Sequence, residues 1–146
     1  MKFICTVEID KPKAEIVELF NNDTYLKDWQ KGFVSKELIS GVAGEKDAVS
    51  RIIFHNKKNV IELKETILNT DINEKYALYE HIYMTNTMKT NFIAVDANHT
   101  KINTEINYTK FNGLMPKLMA MLMPGMFRKQ TQQMLDDFKA FAEKKL

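Results

Sequence analysis

A chain of 146 residues has the length of one domain, at roughly 100–200 residues each. Hydrophobic residues make up 45% and charged ones 27%, which excludes an intrinsically disordered chain. The net charge is only +2, and Arg51 and Arg128 are the only arginines among 21 basic residues, so no basic stripe marks a nucleic-acid binder.

In chain order, Lys2 to Ile9 alternates Phe3, Cys5, Val7 and Ile9 against Ile4, Thr6 and Glu8, predicting a strand with one buried face. Asp10-Lys11-Pro12 is a helix-start signal, and Ile16, Leu19 and Phe20 at helical spacing predict a short amphipathic helix over residues 12–21. Tyr25 to Trp29 fits a second short helical turn. Six strands with short connections follow: Phe33 to Val42, Ala48 to His55, Val60 to Leu68, Lys75 to Thr85, Met88 to Asp96 and Lys101 to Lys110. Asn86-Thr87 is read as the tight turn of the fourth hairpin. A helical segment from Leu114 to Lys145 ends the chain, broken at Pro124-Gly125. This order predicts an α+β fold, an antiparallel curved sheet of about seven strands wrapped around a long C-terminal helix. That helix must bury an apolar stripe of Leu118, Leu122, Phe127, Met134, Phe138 and Phe141, and the sheet is the only large face available. A cavity of roughly 300–1,000 Å³ is expected between them.

This order resembles the START-like superfamily with its helix-grip fold, also described as SRPBCC or polyketide cyclase/dehydrase proteins. The resemblance covers essentially residues 1–146, one ligand-binding domain. Its most specific pieces are Val7-Glu8-Ile9-Asp10-Lys11-Pro12, Trp29-Gln30 followed by Gly32, and Ile39-Ser40-Gly41 with Gly44-Glu45. The close, Leu122 to Gln130 running into Asp137-Phe138-Lys139, looks like the end of one bacterial branch. Lys46-Asp47-Ala48 departs from many relatives, which place a glycine in that turn. The resemblance implies binding of a small hydrophobic molecule, a lipid or a polyketide-like aromatic. It also admits a cofactor-free cyclase/aromatase or an Hsp90-activator-like partner binder. It carries no universal catalytic motif.

No metal or cofactor is expected: His55, His81 and His99 have no ligand-spaced partner, and Cys5 reads as a small buried hydrophobe. No phosphate loop or nucleophile elbow is present. The most apolar stretch, Leu118 to Phe127, is too short for a membrane span of roughly 20 residues. With a lone cysteine and no signal segment, a cytoplasmic protein is expected, and a homodimer is left open.

Period two places Glu65 on the apolar face of its strand with Ile61, Leu63 and Ile67, and a turn at Asn56 to Asn59 pairs Ser50 with Glu65. Burial is expected to raise its pKa, so that a neutral carboxyl anchors a ligand or donates a proton. Glu65 and His81 are thus the candidate acid/base residues. On the next strand, Ala77, Tyr79, His81 and Tyr83 oppose Tyr76, Leu78, Glu80, Ile82 and Met84. The first set is taken as inward, aligned with Thr90, Phe92 and Ala94. Ile102, Thr104, Ile106 and Tyr108 face in on the last strand. Five of nine methionines fall between Met115 and Met126, which suits an adaptable pocket wall. Leu118, Met119, Leu122, Met123 and Phe127 are therefore expected at the cavity, the residues before Pro124-Gly125 forming a movable mouth. Trp29 is read as either a pocket gate or a core plug.

Overall fold

The computed structural model describes residues 1–146. Strand β1 (Lys2–Ile9) leads into helix α1 (Lys13–Asn21), a 3₁₀ turn at Asp23–Tyr25 and the short α2 (Leu26–Trp29). Six strands follow: β2 (Phe33–Ser40), β3 (Val49–Asn56), β4 (Asn59–Thr70), β5 (Glu74–Glu80), β6 (Met84–Asp96) and β7 (His99–Phe111). Helices α3 (Leu114–Leu122) and α4 (Pro124–Lys145) close the chain. All seven strands join one antiparallel sheet in the order β1-β7-β6-β5-β4-β3-β2, so the first and last strands of the chain lie side by side. Register breaks in β2, β4 and β6 bend it, as bulges do, into a curved face.

Alternation explains the core. Cys5, Val7 and Ile9 on β1 and Ile102, Thr104 and Ile106 on β7 are buried, as period two requires of a sheet with one covered face. Helix α4 seats mainly on β1, while α1 and α2 cover the neighbouring end of the sheet. Phe20 of α1 is the hub. Its ring lies 5.3 Å from Trp29, 5.3 Å from Phe92 and 5.1 Å from Phe138, the last two edge-on. Thr90 and Thr104, also buried, bond each other at 3.2 Å, and Thr100 donates to the Lys11 carbonyl at 2.7 Å.

Two turns illustrate the backbone constraints. Gly32 has a φ of 81°, and a Cβ there would stand 2.3 Å from the His55 carbonyl oxygen, so only glycine lets β2 start against β3. Asp47, where many relatives are expected to carry glycine, adopts φ 71° itself. Aspartate is among the few other residues that tolerate this region.

The β5–β6 hairpin departs from the sequence-based expectation. The turn is at His81-Ile82-Tyr83, and Asn86-Thr87 lies within β6, where Asn86 pairs with Tyr79 and Met88 with Ala77. The register differs by an even number of residues, so the inward faces are still Ala77 and Tyr79, and Thr90 and Phe92. Ala94 is exposed instead of inward. The C-terminal stripe is also only half as expected. Phe127 and Phe138 are buried, but Leu118 and Leu122 are not, because the chain breaks at Met123 (φ −133°, ψ 52°) and α3 buries no residue.

Truncating Phe138 to Ala should cost about 3–5 kcal/mol, since a fully buried ring between Phe20 and Trp29 leaves a cavity; denaturant unfolding measures it. Amide exchange should be faster across α3 than across residues 128–142 of α4, and equal protection would show that α3 is packed as firmly as α4.

Candidate functional site

The inner face of the sheet is laid out in cross-strand rows. One row runs Ser50, Glu65, Tyr79, Asn86, Tyr108, all polar at the tip. The next runs Ile67, Ala77, Met88, Ile106, Phe3 and is apolar. Phe54, Leu63, Met88 and Tyr108 are half-buried, and no helix packs densely on β3, β4 or β5. The space is an open trough rather than the enclosed cavity expected from sequence. A separate groove of about 770 Å³ lies away from it, between α2, the start of β2 and the end of α4, lined by Lys27, Gln30, Phe33, Phe141 and Lys144 among others.

Glu65 is the centre of the polar row. Its side chain is 3% exposed. The Tyr79 hydroxyl donates to Oε2 at 2.7 Å, the Lys36 ammonium lies 3.0 Å from Oε1, and the Lys75 ammonium lies 3.9 Å from Oε2. Oε1 is ion-paired with Lys36 alone and so keeps unused accepting capacity. Asp23, from the turn after α1, neutralises Lys36 from its other side at 3.1 Å. Lys75 makes no hydrogen bond within the chain, and its ammonium rests 5.9 Å from the centre of the Phe20 ring.

The electrostatics reverse one expectation. Burial alone would raise the Glu65 pKa, but Lys75, Lys36 and the Tyr79 hydroxyl together outweigh it and hold the carboxyl below its ordinary value. Burial likewise pulls Lys36 down, and the two carboxylates more than reverse that. Lys75 ends below the ordinary lysine value, through burial and the repulsion of Lys36 against the pull of Glu65. Burial and the charge of Glu65 push Tyr79 well up, so its hydroxyl stays protonated as a donor. Glu65 is an ionised acceptor, not a neutral acid. Alternation identified its inward position, but β2 is bulged at both ends, which hid Lys36, and Lys75 was passed over as a strand start although it shares parity with Tyr79.

The other predicted residues divide into two groups. Trp29, at 4% exposure, packs 4.9 Å from Phe138, and Phe92 packs on Phe20; both belong to the core, and Trp29 also borders the groove beside α2. The rest gather at one end of the trough. Tyr108 stacks on Phe111 at 5.7 Å and meets the buried Phe127 edge-on at 5.0 Å. His81 and Tyr83 are turn residues rather than strand residues, with the His81 Nδ1 accepting from the Tyr83 amide at 3.2 Å; burial lowers the histidine's pKa. Leu118, Met119, Leu122 and Met123 stand exposed on and just after α3. No group of His, Cys, Asp or Glu is arranged to hold a metal ion.

Seven antiparallel strands gripping a long C-terminal helix, with two short helices after the first strand, are decisive for the fold. The chain has the START-like helix-grip fold. It superposes on a conserved protein from Geobacillus kaustophilus with a TM-score of 0.80 at 10% identity, covering 99% of this chain and 96% of that one. It matches the Zhui aromatase/cyclase from Streptomyces sp. R1128 at 0.79 and 12% identity, covering 98% and 93%. A START superfamily protein from Mycobacterium smegmatis matches at 0.78 and 8% identity, covering 99% of both chains. No protein-family model matches the sequence, and no curated protein is similar enough to carry an argument. At such low identity the START-like likeness is one of fold, and the site chemistry stands on this chain's own residues.

Replacing Glu65 with Gln leaves two buried ammonium groups without their shared anion and should cost about 3–5 kcal/mol in urea unfolding. Because the folded pKa lies below the unfolded one, the Glu65 contribution is present above the ordinary carboxylate range and is lost as pH falls through the folded value. The variant should therefore show a shallower loss of stability on acidification than the parent chain.

Proposed function

We propose that the protein binds a small hydrophobic molecule carrying at least one acceptor oxygen, a lipid or a polyketide-like aromatic, in the trough between the sheet and helices α3 and α4. The observation that carries this reading is a half-buried group on the inner face of the sheet, Tyr79, Asn86 and Tyr108 of the polar row with Met88 of the apolar one, beside the buried Glu65. In the apolar row the half-buried Met88 is offered to a hydrocarbon or ring face, and methionine adapts to irregular guests. The polar row, with the Lys75 ammonium beside it and free of other hydrogen bonds, offers donors that orient an oxygen. Small-molecule sites commonly combine an apolar lining with a few placed polar groups. The fold shared with an aromatase/cyclase and with a START superfamily protein is consistent with such a ligand.

The cyclase-type alternative, with Glu65 as proton donor, lacks support from the site. A carboxylate flanked by two ammonium groups carries no proton to give at neutral pH. His81 sits in the β5–β6 turn rather than beside Glu65 on the strand. Binding is the reading to test.

An uncharged fluorescent probe such as 1-aminoanthracene should bind saturably to the purified protein. Met88→Glu, which puts a charge in the apolar row, should weaken it about tenfold or more while the thermal melt stays cooperative. Equal affinity in the two proteins, or no saturable binding at all, would reject the trough as the site.

A further inference from the structure

One end of the molecule combines exposed apolar side chains with unpaired positive charge. Leu114, Met115, Met121 and Leu122 of α3 are between 65% and 78% exposed. At 100° per residue the apolar positions of α3 fan over an arc of about 160°, with Lys117 at its edge. The β5–β6 turn is tied to the start of this helix: the Asn112 amide donates to the Tyr83 carbonyl at 2.8 Å and its side chain to the Ile82 carbonyl at 3.1 Å. Ile82 and Tyr83 are themselves exposed. Antiparallel alternation brings the β3–β4 turn, with Lys57, Lys58 and exposed Val60, to the same end of the sheet.

The unpaired charge at this end has one sign. From Ile106 to Leu135 the chain carries Lys110, Lys117, Arg128 and Lys129 and no acidic residue, in a protein whose net charge is only +2. All four are exposed, and none forms an ion pair. The sheet acids nearest this end already have partners: Glu62 with Arg51, Glu80 with Lys64 and Glu105 with Lys2, each at 3.4 Å.

We propose that this end is a docking surface for a lipid bilayer rich in anionic phospholipid. Helix α3 lies in the headgroup region with Leu114, Met115, Met121 and Leu122 directed toward the acyl chains, and Lys110, Lys117, Arg128 and Lys129 meet the phosphates. An apolar arc bordered by cations is the pattern of helices that lie in the membrane interface without crossing it. No helix of this chain is long and apolar enough to cross a membrane, which agrees with such peripheral contact. A second copy of the chain is a poorer occupant. A two-fold contact through α3 would set these cations against their own images with no acid between them. The surface stands on its own exposure and charge and does not depend on what fills the trough.

The full-length chain should co-float with vesicles of phosphatidylcholine containing phosphatidylglycerol and not with phosphatidylcholine alone. Binding should weaken as salt is raised. Lys117→Glu with Lys129→Glu should lower the partition coefficient by about tenfold or more, as should Met121→Glu with Leu122→Glu. All four side chains are exposed, so both double variants should melt as the parent does. Failure to float with phosphatidylglycerol vesicles, or equal partition into neutral ones, overturns the proposal. So does a dimer in light scattering that Met121→Glu with Leu122→Glu dissolves, which would give the surface to a second copy.

Discussion

A single helix is too narrow for the sheet it serves, and much of this molecule follows from that mismatch. Seven strands at about 4.8 Å spacing span roughly 29 Å, whereas a helix with its side chains is about 10–12 Å across. Helix α4 covers the β1 side, and α1 and α2 cover the end around Phe20 and Phe92. The inner surfaces of β3 to β6 toward the other end have no such cover. Met88, Tyr79 and Tyr108 stay half-buried there, and theirs is the surface that a bound hydrophobic molecule would complete.

The buried ion cluster stands at the boundary between the two regions. Two ammonium groups, Glu65 and Asp23 sum to zero charge, so the cluster is tolerable in a low-dielectric setting only as a whole. Replacing it with apolar side chains of similar volume would be the simpler way to stability, which makes its presence informative about binding. Lys75 is the member least satisfied by protein partners and the one whose ammonium a ligand oxygen could complete. Tyr79, by donating to Glu65, holds the carboxylate in place and keeps part of its own surface at the trough.

Helix α3 belongs to neither region. Its nine residues are joined to α4 through Met123 and to the sheet through Asn112, and none is buried. So short a helix is marginal in water without a packed face. An interface, whether a ligand below or lipid outside, would supply one. The same end of the protein thus gathers the trough opening, the methionines and the unpaired cations.

The sequence by itself determined the element order and the faces of β1, β4 and β7, because strict alternation over a half-buried strand permits one inward set, while the helix-grip arrangement came from the family resemblance. It also determined the Ser50–Glu65 register, since a short turn at Asn56–Asn59 leaves few pairings. Alternation failed where its premises failed. In the fourth hairpin both faces are mixed and Asn86-Thr87 mimics a turn, so the register was misread while the face survived an even shift. In β2 the bulges break the period, and Lys36 could not be assigned inward. Only the tertiary structure decided that Glu65 is ionised, because its pKa depends on Lys36 and Lys75 from β2 and β5, brought within 3.0 and 3.9 Å by folding. It alone decided that Trp29 is buried in the core and that the apolar residues of α3 stay outside. A hydrophobic stripe records what a helix can bury, and whether a surface is there to receive it depends on the widths and positions of the elements around it.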